Sequence, residues 1–413
     1  MAKVHDPVRH AALSLLRGVR EGVSLSDQAG RLAGLDGPGR ARAGRLAAET
    51  LRHAGRADAV LAALMDRRPR PDVGEILRMA VVEMLELGEA PHGVVNAAVA
   101  LVRGLGPRGR AAAGMANAVL RKAAQAEGWD ALPPQRMPDW LRAPVVAAWG
   151  DETARAIEAA HQAGAPLDLT PKTADAPGEA LPTGSYRLPA GSQVSALPGY
   201  ADGTWWVQDA AAALAVRALD PRPSEKILDL CAAPGGKTLQ LAAAGAEVTA
   251  VDISAPRMAR VQENLTRCGL TARLVTADAL DYRPDSPPDA ILLDAPCSAT
   301  GTIRRHPDLP FLRDGSGIAD LTALQARLID HALSLLPPGG RLTYAVCSLL
   351  PAEGEDQITA ALARYPGLTA DTPAISGTDP TWLTKTGLRL RPDYWPDQGG
   401  MDGFFIARLR KPA

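Results

Sequence analysis

Two cysteines in this chain share a setting that invites chemistry. Cys297 stands in Asp294-Ala295-Pro296-Cys297-Ser298 and Cys347 in Tyr344-Ala345-Val346-Cys347-Ser348. Each closes an apolar run with the character of a buried strand, and each is followed by serine. A lone cysteine on a strand is usually an inert core residue. Two of only four, the others being Cys231 and Cys268, in matching positions point to a working pair. A thiol of ordinary pKa, about 8.5, is a weak nucleophile unless a positive neighbour or a proton acceptor assists it. Substitution at C5 of a cytosine is a reaction that needs such a thiol. C5 is too electron-poor to attack an alkyl donor unaided, whereas addition of a thiolate at C6 makes C5 nucleophilic. One cysteine can then form the bond and a second polar group can help to break it. Asp294 can hydrogen-bond the ring edge where charge develops.

A second constellation lies upstream. The strand-like run 226–231 (KILDLC) leads into Ala232-Ala233-Pro234-Gly235-Gly236-Lys237, and a helical pattern follows from Thr238. A small-residue turn between strand and helix lets backbone N–H groups approach a ligand closely. A phosphate-binding GxxxxGK[ST] loop needs glycine where Cys231 stands, and no GxGxxG occurs. Asp252 ends the next strand 21 residues later, placed to accept hydrogen bonds from ribose hydroxyls. Asp278 ends the third, placed to meet the exocyclic amine of an adenine. Acidic residues closing successive strands suit S-adenosylmethionine, cationic at sulfur, better than a nucleoside triphosphate. The plain alternative is an unliganded turn with surface acids. An adenine N-methyltransferase is expected to carry a Pro-Pro-aromatic segment where Asp294-Ala-Pro-Cys297 stands.

The elements that must position these residues are legible as periodicity. From 205 onward, strand-like runs at 226–231, 247–252, 272–278, 289–295 and 341–347 alternate with helical stretches, the clearest at 256–268 and 321–335. That alternation predicts a doubly wound, Rossmann-like α/β domain over 205–413, with its ligands at the carboxyl ends of the strands. Residues 6–126 read as helices throughout. Asp6-Pro7 is an N-cap with proline at the first helical position. Apolar stripes then run through 41–65, 73–87, 94–105 and 111–126. The expected organisation is a helical bundle over 1–128, a proline-rich linker over 129–138, a small α/β RNA-positioning subdomain over 139–204, and the catalytic domain.

At these motifs the chain resembles the Sun-type (RsmB/Fmu) RNA cytosine-5 methyltransferases. The matching segments are DLCAAPGGKT (229–238), VDIS (251–254), ILLDAPCSATGTIRRHPD (291–308), YAVCSLLPAEGEDQI (344–358) and DGFFIARLRK (402–411). The resemblance implies that Cys347 is the nucleophile and that Cys297 assists product release. It implies cofactor contacts from Cys231, Ala232, Ala233, Pro234, Gly235, Gly236 and Lys237 together with Asp252, Asp278 and Asp294, and Lys237 is also a candidate positive neighbour for the active site. Segments 90–102 (APHGVVNAAVALV) and 115–123 (MANAVLRKA) look like the NusB-type helical RNA-binding domain. The combination implies a cytosine in 16S ribosomal RNA as substrate. Where the family commonly shows Arg-x-Asn, this chain has Leu167-Asp168-Leu169-Thr170, so a contact credited to that arginine does not transfer.

Composition sets the remaining bounds. The 413 residues are 46% hydrophobic and 22% charged, close to a soluble globular average, with no apolar run near the ~20 residues a membrane span requires. The opening MAKVHDPVRH lacks the apolar core of a secretory leader, and the four cysteines form no CxxC. A reduced, cytoplasmic, monomeric protein without a metal is expected. The net charge of −1 hides an asymmetry: residues 1–122 hold 19 Lys and Arg against 12 Asp and Glu, the remainder 26 against 34. A basic front and an acidic back suggest different partners. Arg304 and Arg305, directly after the Pro-Cys-Ser segment, are expected to hold phosphates beside the target base. Aromatics at 4% are too sparse for an extended stacking platform, so recognition should rely on phosphates, shape and one extruded base. Competing readings are an enzyme acting on another RNA such as tRNA, a DNA cytosine methyltransferase using Cys297, and a non-catalytic RNA-binding assembly factor.

Overall fold

The computed structural model describes residues 6–173 and 175–413, which divide into two compact units. One is built from residues 6–142 with Asp151–Gln162 and Arg305–Asp314; the other from Ala143–Gly150, Ala163–Arg304 and Gly315–Ala413.

The first unit is helical: α1 (Pro7–Arg20), α2 (Gly37–Arg52), α3 (Ala54–Leu64), α4 (Pro71–Leu85), α5 (Pro91–Gly104) and α6 (Pro107–Ala123). Proline within the first turn starts α1, α2, α4, α5 and α6, where its missing N–H costs nothing. Asp6 caps α1 by accepting the Arg9 N–H at 3.1 Å. The expected 41–65 stripe divides at His53, whose backbone is not helical, so it forms two helices. Leu15, Ile76, Leu77, Met79 and Leu120 are enclosed at the centre of one apolar cluster. Residues 129–138, read as a linker, belong to this unit: Trp129 joins the core, and the Met137 N–H donates to Glu158 of the Asp151–Gln162 segment at 2.9 Å. A cleft of about 310 Å³ opens where α4 and α6 begin, lined by Arg68, Arg70, Arg108 and the exposed Met115. Asp72, the carboxylate on its wall, is bound by Arg20 at 2.8 Å.

The chain continues through α7 (Asp139–Ala163), which bends at Gly150 (φ 85°). A small antiparallel sheet follows, of β1 (Leu167–Pro171), β2 (Glu179–Ala180), β3 (Tyr186–Leu188) and β4 (Trp205–Val207), in the order β2-β3-β1-β4. Asp168, where the family resemblance led us to look for an Arg-x-Asn element, is buried and held by Arg187 through two hydrogen bonds of 2.7 and 2.8 Å.

The large sheet comprises β5 (Lys226–Leu230), β6 (Glu247–Asp252), β7 (Arg273–Thr276), β8 (Ala290–Asp294), β9 (Arg341–Val346), β10 (Thr369–Ala370), β11 (Leu388–Leu390) and β12 (Phe404–Arg410). Its helices are α8 (Ala210–Leu219), α9 (Gly236–Ala243), α10 (Ala255–Cys268), α12 (Ile318–Leu335) and α13 (Glu355–Arg364); the short α11 (Leu309–Leu312) lies in the first unit's segment. The order is β10-β12-β9-β8-β5-β6-β7, with β11 beside β12. The five central strands are parallel, as the βα alternation predicts. The sheet is mixed, however, because β12 pairs antiparallel with β9 and carries β10 and β11. Ile291, Leu292 and Leu293 of the central β8 are fully buried, the continuous apolar run of a strand covered on both faces.

Candidate functional site

The parallel pairing of β8 with β9 explains how two cysteines 50 residues apart meet. Register sets Asp294 beside Ala345, and the Ala295 N–H donates to the Ala345 carbonyl at 2.9 Å. The chain leaves the two strands in the same direction, β8 ending three residues before Cys297 and β9 one before Cys347, and the thiol sulfurs lie 3.5 Å apart. The Gly301 N–H donates to the Cys347 carbonyl at 3.0 Å, and the Gly403 N–H to the Gly301 carbonyl at 2.8 Å. A Cβ on Gly301 would stand 1.9 Å from the Gly403 oxygen, so glycine alone permits this stitch. The Cys297 thiol is pushed well above its usual pKa by its hydrogen bond to Cys347, by burial, and by the charges of Cys347 and Glu353.

Lys237 bridges this pair to the glycine turn. Its Nζ donates to Asp294 Oδ2 at 2.6 Å and lies 5.3 Å over the Phe404 ring. Burial disfavours the ammonium, but the charge and hydrogen bond of Asp294 outweigh it, so the pKa is raised; the charge of Cys347 adds to the effect. A positive group is therefore held beside the thiol pair, where it favours a thiolate.

The turn 231–237 sits between β5 and α9 as its composition predicts. Cys231 (φ 61°) and Gly235 (φ 99°) both lie in the left-handed region. A Cβ on Gly235 would meet Val261 of α10 at 2.9 Å, so the turn presses on that helix. Ala232 and Ala233 are buried with Trp206 in one apolar cluster. The Ala232 N–H donates to the Val251 carbonyl at 3.0 Å and the Ala233 N–H to Asp252 at 3.1 Å. Asp252 also accepts the Ser254 N–H at 2.9 Å, is nearly enclosed, and faces the Arg257 guanidinium at 3.7 Å. Asp278 is exposed beyond β7 and accepts the Leu280 N–H at 2.9 Å. Ile253, next to Asp252, is 70% exposed, an apolar face beside the turn.

Four aspartates, Asp229, Asp252, Asp278 and Asp294, thus stand at or beside the ends of four strands. Burial raises the Asp229 carboxyl to about 7, against the hydrogen bond it accepts from the Thr238 hydroxyl at 2.6 Å. Its other oxygen is enclosed without a hydrogen-bond partner. Burial pushes the Cys231 thiol up to about 12, with Asp294, Asp252 and Asp229 adding to the shift, which makes it a poor nucleophile. Lys237 offsets Asp294, and Arg257 stands 3.7 Å from Asp252. What this rim offers a ligand is therefore the exposed Asp278 and the remaining acceptor capacity of Asp252, which suits the amine and ribose of the cofactor inferred from the residues. Beside it opens a cavity of about 400 Å³, lined by Gln208, Gly236, Lys237, Asn264, Arg267 and Asp294 among others.

One expectation is corrected. Arg304 does not offer its guanidinium to phosphate: it is fully enclosed, with Nε 3.0 Å from Asp402 and an N–H donating to the Gly399 carbonyl at 2.9 Å. Arg305 is half-buried. Sequence reasoning missed Ile253, Phe404 and Glu353. An apolar residue exposed in the VDIS turn was a usable signal for the first; the others become visible only once the chain has folded. Among the described residues no cluster of His, Cys, Asp and Glu could hold a metal ion, and no helix is long and apolar enough to cross a membrane.

Comparison with known proteins agrees with this geometry. The profile of the family described as 16S rRNA methyltransferase RsmB/F matches residues 216–410, and that of the NusB family matches residues 6–125. Relatives called ribosomal RNA small subunit methyltransferase B include one from Xanthomonas campestris, 37% identical, covering 86% of this chain and 88% of the relative. One from Pseudomonas syringae is 39% identical over 73% of each chain. The match to one from Serratia proteamaculans, 47% identical, covers 55% of this chain and about half (52%) of that relative's length. The crystal structure of PH0851 shares the fold, with a TM-score of 0.73 at 23% identity over 98% of this chain and 99% of that one. A methyltransferase homologue from Pyrococcus horikoshii superposes at 27% identity with a TM-score of 0.54, covering 65% and 93%. The chain belongs to the ribosomal RNA small subunit methyltransferase B family.

Proposed function

We propose that this protein, in the cytoplasm, methylates C5 of a cytosine in 16S ribosomal RNA, using S-adenosylmethionine and a covalent bond from Cys347 to C6. The observation that carries the reading is the thiol pair: two sulfurs 3.5 Å apart at the ends of adjacent parallel strands, with Lys237 and Asp294 bonded beside them. When bound, S-adenosylmethionine supplies an electrophilic methyl group on a sulfonium. The glycine turn, Asp252 and Asp278 would hold it, with Ile253 offering an apolar face to a ring.

The chain's own residues divide the remaining work. Lys237 favours the Cys347 thiolate electrostatically, and the Cys297 S–H, held protonated, donates to it. The sulfur of Cys347 adds to C6, and the electron pair of the C5–C6 double bond moves to C5. Asp294 accepts from the amino edge of the ring, and the Lys237 ammonium it holds stabilises the negative charge that develops there. After substitution at C5, the C5 proton passes to solvent, its electron pair restores the C5–C6 double bond, and the sulfur of Cys347 leaves as a thiolate, with Cys297 assisting that departure.

For the RNA partner the helical unit supplies the charge that Arg304 does not. Arg68, Arg70 and Arg108 line one cleft without an ion pair among the described residues, and Asp72 on its wall, which also attracts Arg70, is bound by Arg20. We assign the RNA backbone to that surface.

Methyl transfer from radiolabelled S-adenosylmethionine to unmethylated 16S RNA, with bisulfite mapping of the product, tests the reading. The wild-type chain should produce 5-methylcytosine, and Cys347→Ala should lose turnover by at least about a thousandfold while still binding cofactor. Turnover at the wild-type rate by Cys347→Ala would refute the nucleophile assignment.

A further inference from the structure

Glu353 is fully enclosed, ends the short turn Pro351–Glu353 after β9, and has no part in the chemistry described above. Its Oε1 accepts the Ser298 N–H at 2.8 Å and the Gln325 side-chain N–H at 3.0 Å. Its Oε2 accepts the hydroxyls of Ser298 and Ser348, both at 2.5 Å. Ser298 follows Cys297 and Ser348 follows Cys347, so one side chain grips the loops of both cysteines. Gln325 of α12 adds a second hold, donating to the Pro296 carbonyl at 2.9 Å. The Tyr344 hydroxyl fixes the Glu353 backbone by donating to its carbonyl at 2.6 Å.

A carboxylate in such a place is costly. No Lys or Arg forms an ion pair with Glu353 among the described residues, and burying an acid without a cation is compensated only by hydrogen bonds. An apolar side chain would fill the same volume at lower cost. One feature of the site accounts for an acid: it collects donors from two loops at once.

We propose that Glu353 is a positioning residue of the thiol pair, holding Ser298 and Ser348 together so that Cys297 and Cys347 face each other, and making the two sulfurs electrostatically unequal. The negative charge of Glu353 opposes a second negative charge on Cys297, while Lys237 attracts one on Cys347. One sulfur is thereby reserved as the donor and the other as the nucleophile, although both are cysteines in similar loops. The proposal rests on Cys347 being the nucleophile, and its test separates the two claims.

The test uses the full chain with Glu353→Gln and Glu353→Asp. Iodoacetamide labelling without RNA or cofactor, resolved by peptide mass spectrometry, reads the reactivity of Cys297 relative to Cys347. Glu353→Gln should raise that ratio by about tenfold, the effect of one pKa unit, and Glu353→Asp should restore part of the wild-type ratio. In methyl-transfer assays Glu353→Gln should lower kcat by about ten- to a hundredfold with KM for RNA within about twofold. An unchanged labelling ratio together with wild-type kcat overturns the proposal. If Glu353→Gln does not fold, the double variant Ser298→Ala, Ser348→Ala removes two donors and leaves the acid; lowered kcat supports the clamp and wild-type kcat overturns it. The labelling ratio does not depend on any RNA reaction, so it stands even if Cys347 is not the nucleophile.

Discussion

At the scale of single residues, protonation sorts the site into roles. Asp229 is the clearest case, because burial raises it from an ordinary 3.8 to about 7. Between those values the folded chain keeps a proton that the unfolded chain has lost, so this group's contribution to stability falls as pH rises through that window. The full swing is roughly 4 kcal/mol. Asp229→Asn removes it: the melting temperature of the variant, relative to wild type, should be higher at pH 8 than at pH 5, and an equal difference at both would contradict the assignment. Residues in contiguous motifs were the legible ones. Cys231 through Lys237 lie together in the chain, and the turn they form is dictated by their own types. Arg304 was misread because its partner Asp402 and its acceptor at Gly399 lie nearly a hundred residues further on. From sequence it looks like any basic turn. Glu353 lies inside a matching motif, but nothing local marks it as the side chain that Ser348 will share with Ser298, 55 residues away.

At the scale of elements, the parallel register of β8 and β9 is what makes a pair of the cysteines. The βα alternation made this much of the sheet readable before any coordinates. It did not reveal that 404–410 returns antiparallel beside β9, because an apolar run looks alike in either direction. That return strand follows directly on Gly403, the residue against which Gly301 packs. Gly301→Ala should therefore cost about 1–3 kcal/mol of stability from overpacking and displace the loop that carries Cys297. Thermal unfolding should show a loss of about 2–4 °C for each kcal/mol. The sulfur separation should change with it, which thiol labelling detects as altered cysteine reactivity. A stable Gly301→Ala chain with full activity would show that the stitch does not position the thiols.

At the scale of the whole molecule, charge is divided as the chemistry requires: a basic helical front and an acidic α/β back that ends its strands in aspartates. The near-neutral total concealed this, and the division appeared only on splitting the chain. Reversing Arg68, Arg70 and Arg108 to glutamate should weaken RNA binding by about tenfold or more and flatten its salt dependence. Cofactor binding and melting should stay near wild type. RNA affinity that is unchanged at low and moderate salt would remove the cleft from the account.

The measurement closest to the central claim is the capture of the covalent intermediate. The full chain carrying Cys297→Ala, mixed with S-adenosylmethionine and 16S RNA, should accumulate a protein–RNA adduct that survives denaturing electrophoresis. Digestion and mass spectrometry should place the attached nucleotide on Cys347. An adduct mapped to any other residue, or equal turnover by Cys297→Ala with no adduct at any time, would contradict the mechanism.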